Sequence, residues 1–182
     1  MLHPAMRVTL EGIMAVWYEV EKTEDGINNF MEWNWEFHDF RAERIEYVPG
    51  MDMVEVLLKY DTGREGVLLR FAWIKDMHVN TQHDYDAEWI VGSSLLMKNN
   101  TLIWLDDETS EENIEETKCY ATWVEAERLF WAVTDEEGNP IEMPTERVNQ
   151  KWNTNGRIEE KHFDLKRFSG KWDLILRPYY ER

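Results

Sequence analysis

The chain has one cysteine, Cys119, in 182 residues. A lone thiol excludes an internal disulfide framework and the small disulfide-stapled folds that depend on one. Cys119 lies in the alternating run Lys118-Cys119-Tyr120-Ala121-Thr122-Trp123. It reads there as a small packed residue of a strand rather than as a nucleophile. Long apolar runs are missing as well, so no segment approaches the length of a membrane span. Met1-Leu2-His3-Pro4 does not open a basic-then-apolar leader. With no leader and no disulfides, the expectation is a cytoplasmic protein. Positive charge is scarce: 20 Lys and Arg stand against 37 Asp and Glu, for a net charge of -17. That balance argues against nucleic acid and anionic membranes as partners, and it leaves room for a basic protein. The sequence also lacks a Gly-rich phosphate loop, a His-Glu-x-x-His pair, a calcium loop and a nucleophile elbow. No catalytic residue, metal or cofactor is therefore assigned, and the case for an enzyme is weak.

What is present in quantity is aromatic surface: 10 Trp, 7 Tyr and 7 Phe. At this length, one domain spanning residues 1–182 can bury a substantial core. The stretch from Trp33 to Trp73 carries the clearest pattern. Ile45 and Tyr47 share one face of an extended run, and Pro49-Gly50-Met51-Asp52 supplies a turn. Val54, Val56, Leu58 and Tyr60 then repeat at period two. After Asp61-Thr62-Gly63, so do Val67, Leu69, Phe71 and Trp73. Alternation of this kind is what a strand with one buried face requires, and short turns join antiparallel neighbours. A three-stranded meander follows, with Val56, Leu58, Leu69 and Phe71 in its core.

Elsewhere the reading is coarser. Strand patterns occur in Met6–Val20, where Thr23-Glu24-Asp25-Gly26 closes the region, and in Glu88–Met97 and Thr101–Leu105. The last two flank Lys98-Asn99-Asn100, a hairpin turn, because Asn tolerates left-handed backbone. Lys118–Val124 and Glu127–Thr134 read as strands, and Asp135 to Pro140 as a turn. Phe30, Trp33 and Phe37 fit a helix over Ile27–Asp39, with Trp35 pointing off its apolar face. A second helix is expected around Thr145–Trp152. Arg157–Arg167 and Lys171–Arg177 suggest a closing hairpin about Phe168-Ser169-Gly170. The fold class is mainly β, with α+β open: antiparallel sheets in a sandwich or partly open barrel, with one or two short helices. Basic residues outnumber acidic ones only after Arg147, so this tail can dock against the acidic body through weak, exposed pairs.

Three groups are candidates for function. His38-Asp39 suits acid–base or metal chemistry, since imidazole titrates near neutrality. The plainer reading packs the His38 ring at a helix–strand junction and leaves Asp39 to bond backbone amides. His78, His83, Asp84 and Asp86 offer imidazole and carboxylate ligands, but their spacing matches no metal site and reads as a polar turn. Trp33, Trp35, Trp89, Trp104 and Trp123 can stack on ligands or anchor a partner, or they can cover both faces of a sheet. Asp106 to Glu116 adds seven acidic residues without a basic one, as a solvated loop or short irregular helix.

The run from Phe37-His38-Asp39 to Tyr47, its Gly/Asp turn, Val54–Leu58 and Leu69-Arg70-Phe71 together resemble a set of small bacterial β-rich proteins. These place Phe-His-Asp before a β-meander, and some are grouped with immunity proteins of toxin systems. This chain has Phe40 where the pattern has Ser, and no catalytic residue is carried over. With the acidic balance of the chain, which suits a basic partner, the leading expectation is a noncatalytic binding protein that neutralises a basic toxin through an acidic surface. Glu108, Glu111, Glu112, Glu115 and Glu116 would form that surface. The competing expectation is a small-molecule binder or enzyme with an aromatic pocket formed by Trp35, His38, Asp39, His78 and His83.

Overall fold

A computed structural model describes residues 16–48, 50–60, 66–80, 90, 92–142, 149–154, 157–162, 165–170 and 172. Nine strands and two α-helices occur among them: β1 (Tyr18–Glu19), α1 (Glu24–Trp33), β2 (Phe40–Tyr47), β3 (Met53–Tyr60), β4 (Gly66–His78), β5 (Ser94–Lys98), β6 (Thr101–Leu105), α2 (Ile114–Thr117), β7 (Trp123–Thr134), β8 (Asn149–Thr154) and β9 (Arg157–His162). Strands β1 to β7 form one antiparallel sheet in the order β2-β3-β4-β7-β6-β5, and β1 pairs with the other end of β7. The sheet is open. An isolated bridge from Phe40 to Ile90 nonetheless ties the start of one edge strand to the segment preceding the other. Strands β8 and β9 make a separate hairpin.

The meander forms as its periodicity predicts. Val56 pairs with Leu69 and Leu58 with Val67, and Val56, Leu58, Leu69 and Phe71 are all fully buried. Their face packs with Phe30, Trp33 and Phe37 from α1 and its C-terminal turn, and with Trp104 and Trp131. Intervening residues Met53, Leu57, Leu68, Phe130 and Ala132 face the other way, onto Trp17, Phe168 and Trp172. Trp33, Trp104 and Trp123 are buried and Trp35 is exposed, so sheet coverage accounts for most of the named tryptophans. Trp89 lies outside the described residues. The β5–β6 turn has Asn99 and Asn100 at φ 51 and 66, as expected of Asn in a two-residue hairpin.

Several boundaries differ from the sequence reading. Helix α1 begins at Glu24, because the Thr23 hydroxyl accepts the Gly26 N–H at 3.0 Å and Glu24 and Asp25 fill the first turn. Thr23 to Gly26 is thus a helix start rather than a closing turn. Residues 118–120 are a turn continuing from α2, and Cys119 is exposed there, its N–H bonded to the Glu116 carbonyl at 3.1 Å. β7 is one strand rather than two. Asn149–Thr154 is extended, not helical, and it supplies the partner of Arg157–His162. Of the hairpin expected about Phe168, Lys171 and residues 173–177 lie outside the described residues. The segment at 166–168 lies along β1, with the Glu19 N–H bonded to Lys166 O at 2.9 Å and the Phe168 N–H to Trp17 O at 2.7 Å. Lys166 also pairs with Glu21 at 2.9 Å, both half exposed, so part of the basic tail does dock on the body.

Candidate functional site

Trp35, Glu36 and Phe37 have φ values of 52, 53 and 56, and Asp39 has 64. None is glycine. Left-handed backbone costs an L-residue about 1–2 kcal/mol, so this turn persists only because its surroundings fix it. Phe37 is fully buried between Phe30 and Phe40, with ring centroids 5.5 and 5.4 Å away. The Phe37 N–H bonds Asn34 O, the His38 N–H bonds Trp35 O, and the Asp39 N–H bonds Ile90 O at 3.0 Å. The Glu36 carbonyl accepts both the Ser93 N–H at 2.9 Å and the Ser93 hydroxyl at 3.3 Å.

This geometry corrects the expectation that the His38 ring packs at the helix–strand junction. Neither side chain packs inward; both are 58% exposed, with His38 Nδ1 3.1 Å from Asp39 Oδ2. Sequence neighbours rarely face one another on regular elements, and the left-handed conformation of Asp39 is what turns its carboxylate back. Trp35 is 45% exposed and meets Tyr60 edge-on at 5.8 Å. Glu36 stands exposed beside it.

The acidic loop is held to the same place. Thr109 donates its N–H to the Ser94 hydroxyl at 2.7 Å, and that hydroxyl donates to Thr109 O at 3.3 Å. Glu108 lies against Gly92, where a Cβ would come within 2.7 Å of Glu108 Cγ. Ile114 and Thr117 are buried, and Ile114 packs with Ile103, Leu105 and Trp123. Three consecutive residues, Gly92, Ser93 and Ser94, thus join the Trp35–Asp39 turn to the acidic loop. Glu108, Glu111, Glu112, Glu115 and Glu116 are all exposed. Glu115 pairs with Lys98 at 3.0 Å, and that hydrogen bond and charge hold its carboxyl below the usual range.

Two of the three histidines expected of an aromatic pocket, His38 and His78, are described. His78 is exposed at the end of β4, beside Trp123 on β7, whereas His38 precedes edge strand β2. His83, with Asp84 and Asp86, lies outside the described residues. No group of three or more His, Cys, Asp or Glu among the described residues is arranged to hold a metal, and no helix among them is long and apolar enough to cross a membrane.

Two adjoining clefts occur elsewhere, on either side of β1. One of about 380 Å³ is walled by Trp73, Glu127, Arg128 and Lys166. The other, about 420 Å³, is lined by Asp25, Asn29 and Leu165 among others. They share Glu19, Val20, Glu21, Thr23 and Lys166, and neither contains His38 or His78. Sequence reasoning missed Glu36, Ser93, Ser94 and this trench. None is marked by a local motif, because each depends on contacts between segments distant in the chain. Comparison with known protein families, with curated proteins and with solved structures yields no match.

Proposed function

We propose that the chain is a noncatalytic binding protein that captures a basic protein through the face made by Trp35, Glu36, Asp39, Glu108, Glu111 and Glu112. The observation that carries this reading is the Gly92–Ser94 seam, whose contacts with Glu36, Glu108 and Thr109 tie the turn that exposes Trp35 to the loop that exposes the carboxylates. Burying a tryptophan gives an interface its central energy. Carboxylates around it steer a cationic partner and select against an acidic one. Neutralising a basic toxin is one use of such a face: the Phe-His-Asp resemblance points to immunity proteins, and toxins that act on nucleic acid carry positive surfaces to bind phosphate.

The test is co-purification of the chain with basic proteins encoded beside its gene, at low and high salt, with Trp35→Ala and the double reversal Glu111→Lys/Glu112→Lys alongside. The expected result is binding that weakens with salt and with charge reversal, and falls by a factor of about 10–100 in Trp35→Ala. A basic neighbour that does not bind at low salt, or binds both variants as well as the wild type, overturns the proposal.

A further inference from the structure

We propose that the edge of β2 is a self-association surface, and that its occupant is β2 of a second copy of this chain, paired antiparallel. It shares no residue with the Trp35–Glu108 face, so the two proposals fail separately. Strand β2 ends the sheet. Among the described residues, the backbone pairing on its side away from β3 is the single Phe40–Ile90 bridge. Ala42, Glu43, Arg44, Glu46 and Tyr47 are exposed. The first argument is charge. The chain carries -17, so two copies repel, yet β2 holds two Arg and two Glu. Laid against itself in reverse, Arg41 falls opposite Glu46, Ala42 opposite Ile45 and Glu43 opposite Arg44. Each charge of one copy then faces the opposite charge of the other, which favours this register. Within the chain Glu43 contacts Lys59 at 3.0 Å and Arg44 contacts Glu46 at 3.7 Å. The side chains of Glu43, Arg44 and Glu46 stay exposed, so these contacts are weak and leave the charges open to a second strand.

The second argument is the backbone. Charged residues and a bulge ordinarily keep an edge strand from pairing, and β2 has a bulge: its register against β3 shifts between Ala42 and Arg44. That bulge sits at the centre of the self-complementary run. Ala42 opposes Leu58 and Ile45 opposes Val56, so the extra residue brings Ala42 and Ile45 to the inner face together. In a regular strand, residues three apart fall on opposite faces. The direction of the backbone groups agrees. The Phe40 carbonyl accepts the Ile90 N–H, and Val48 donates its N–H to Met53 O. Counting in from these two ends, with one extra residue at the bulge, Ala42, Ile45 and Tyr47 turn their backbone groups away from β3. Ala42 of one copy and Ile45 of the other thus meet as a hydrogen-bonded pair on the same face, twice by two-fold symmetry.

The experiment is sedimentation equilibrium of the intact chain at about 1 μM to 1 mM and about 0.15 M salt. A monomer–dimer equilibrium is expected, with dimer at the upper end of the range. Two variants at exposed positions test the register. Arg44→Glu makes the centre of the pairing wholly acidic and Glu43→Lys makes it wholly basic, so each alone should dimerise about tenfold more weakly. An equimolar mixture of the two should associate as tightly as the wild type, because opposite charges face one another again. A monomer throughout the range, a dimer that both variants form as tightly as the wild type, or a mixture that associates no better than either variant alone overturns the proposal.

Discussion

The two faces of the central sheet are both covered, but by different chemistry. The inner face is apolar: Val54, Val56, Leu58, Leu69, Phe71 and Trp131 close against Phe30, Met31 and Trp33 of α1. The outer face is built around a cation. Arg70 lies between Trp17 and Trp172, 4.1 and 4.4 Å from their ring centroids, and reaches Glu55 at 2.6 Å. Burial pushes its pKa down and Glu55 pulls it back, so the guanidinium stays charged while largely removed from water. Helix α1 precedes the meander directly and brings its whole apolar stripe to the inner face. The outer face is completed by single residues from distant segments, Trp17, Phe168 and Trp172. A long side chain with a planar head spans the gaps between such isolated rings better than an aliphatic one.

The largest expected effect lies on the inner face. Leu58→Ala removes buried methyl groups from a site enclosed on all sides and should destabilise by about 2–5 kcal/mol, measured by denaturant unfolding. A wild-type midpoint would mean that the inner face is not the main source of stability, and the comparison would reverse.

A smaller loss is expected on the outer face. Glu55→Ala leaves the Arg70 guanidinium partly desolvated without its carboxylate, at a cost of about 1.5–3 kcal/mol. The discriminating variant is the double replacement Glu55→Leu/Arg70→Met, because removing both charges removes the desolvation cost along with the attraction. If Arg70 is held as described, the double variant recovers most of what the single one loses. A double variant less stable than Glu55→Ala would show that stacking between Trp17 and Trp172, not pairing with Glu55, keeps Arg70 in place.

How much of this was legible in the sequence depends on the range of the forces involved. The meander was, because alternation in β3 and β4 reports directly on which face is buried. So were the Asn99-Asn100 hairpin and the turn at Gly138, which has φ 84, since turn residues act locally. The apolar spacing places the start of α1 three residues late, although Thr23 with its acidic neighbours is a start signal. Strand β8 is not legible because its polar sequence has neither period, and pairing with β9 sets its conformation. The His38-Asp39 contact was hidden for a different reason. It depends on positive φ in residues that disfavour it, imposed by Phe37 burial and by Ile90 and Ser93 more than fifty residues away. Trp35 and the acidic loop each stand out in the sequence, whereas the contacts that tie their segments together through Gly92–Ser94 do not.

The smallest expected effect calibrates the outer-face pair against an exposed one. Lys98 and Glu115 are 3.0 Å apart with side chains 50% and 74% exposed, so water and salt screen their attraction. The lowered pKa of Glu115 has Lys98 as its first cause, and Lys118 adds to it. A carboxyl whose folded pKa lies below its unfolded one contributes stability above the ordinary carboxylate range, and that contribution is lost as pH falls through the folded value. Lys98→Met should therefore raise the Glu115 midpoint toward the ordinary value, read from its side-chain carbon shifts in an NMR pH titration. Added salt should raise it in the wild type and leave the variant nearly unmoved. The unfolding midpoint at neutral pH should barely change. If Lys98→Met instead destabilises the chain as much as Glu55→Ala does, burial is not what separates the two pairs, and the cost assigned to stranding Arg70 has another origin.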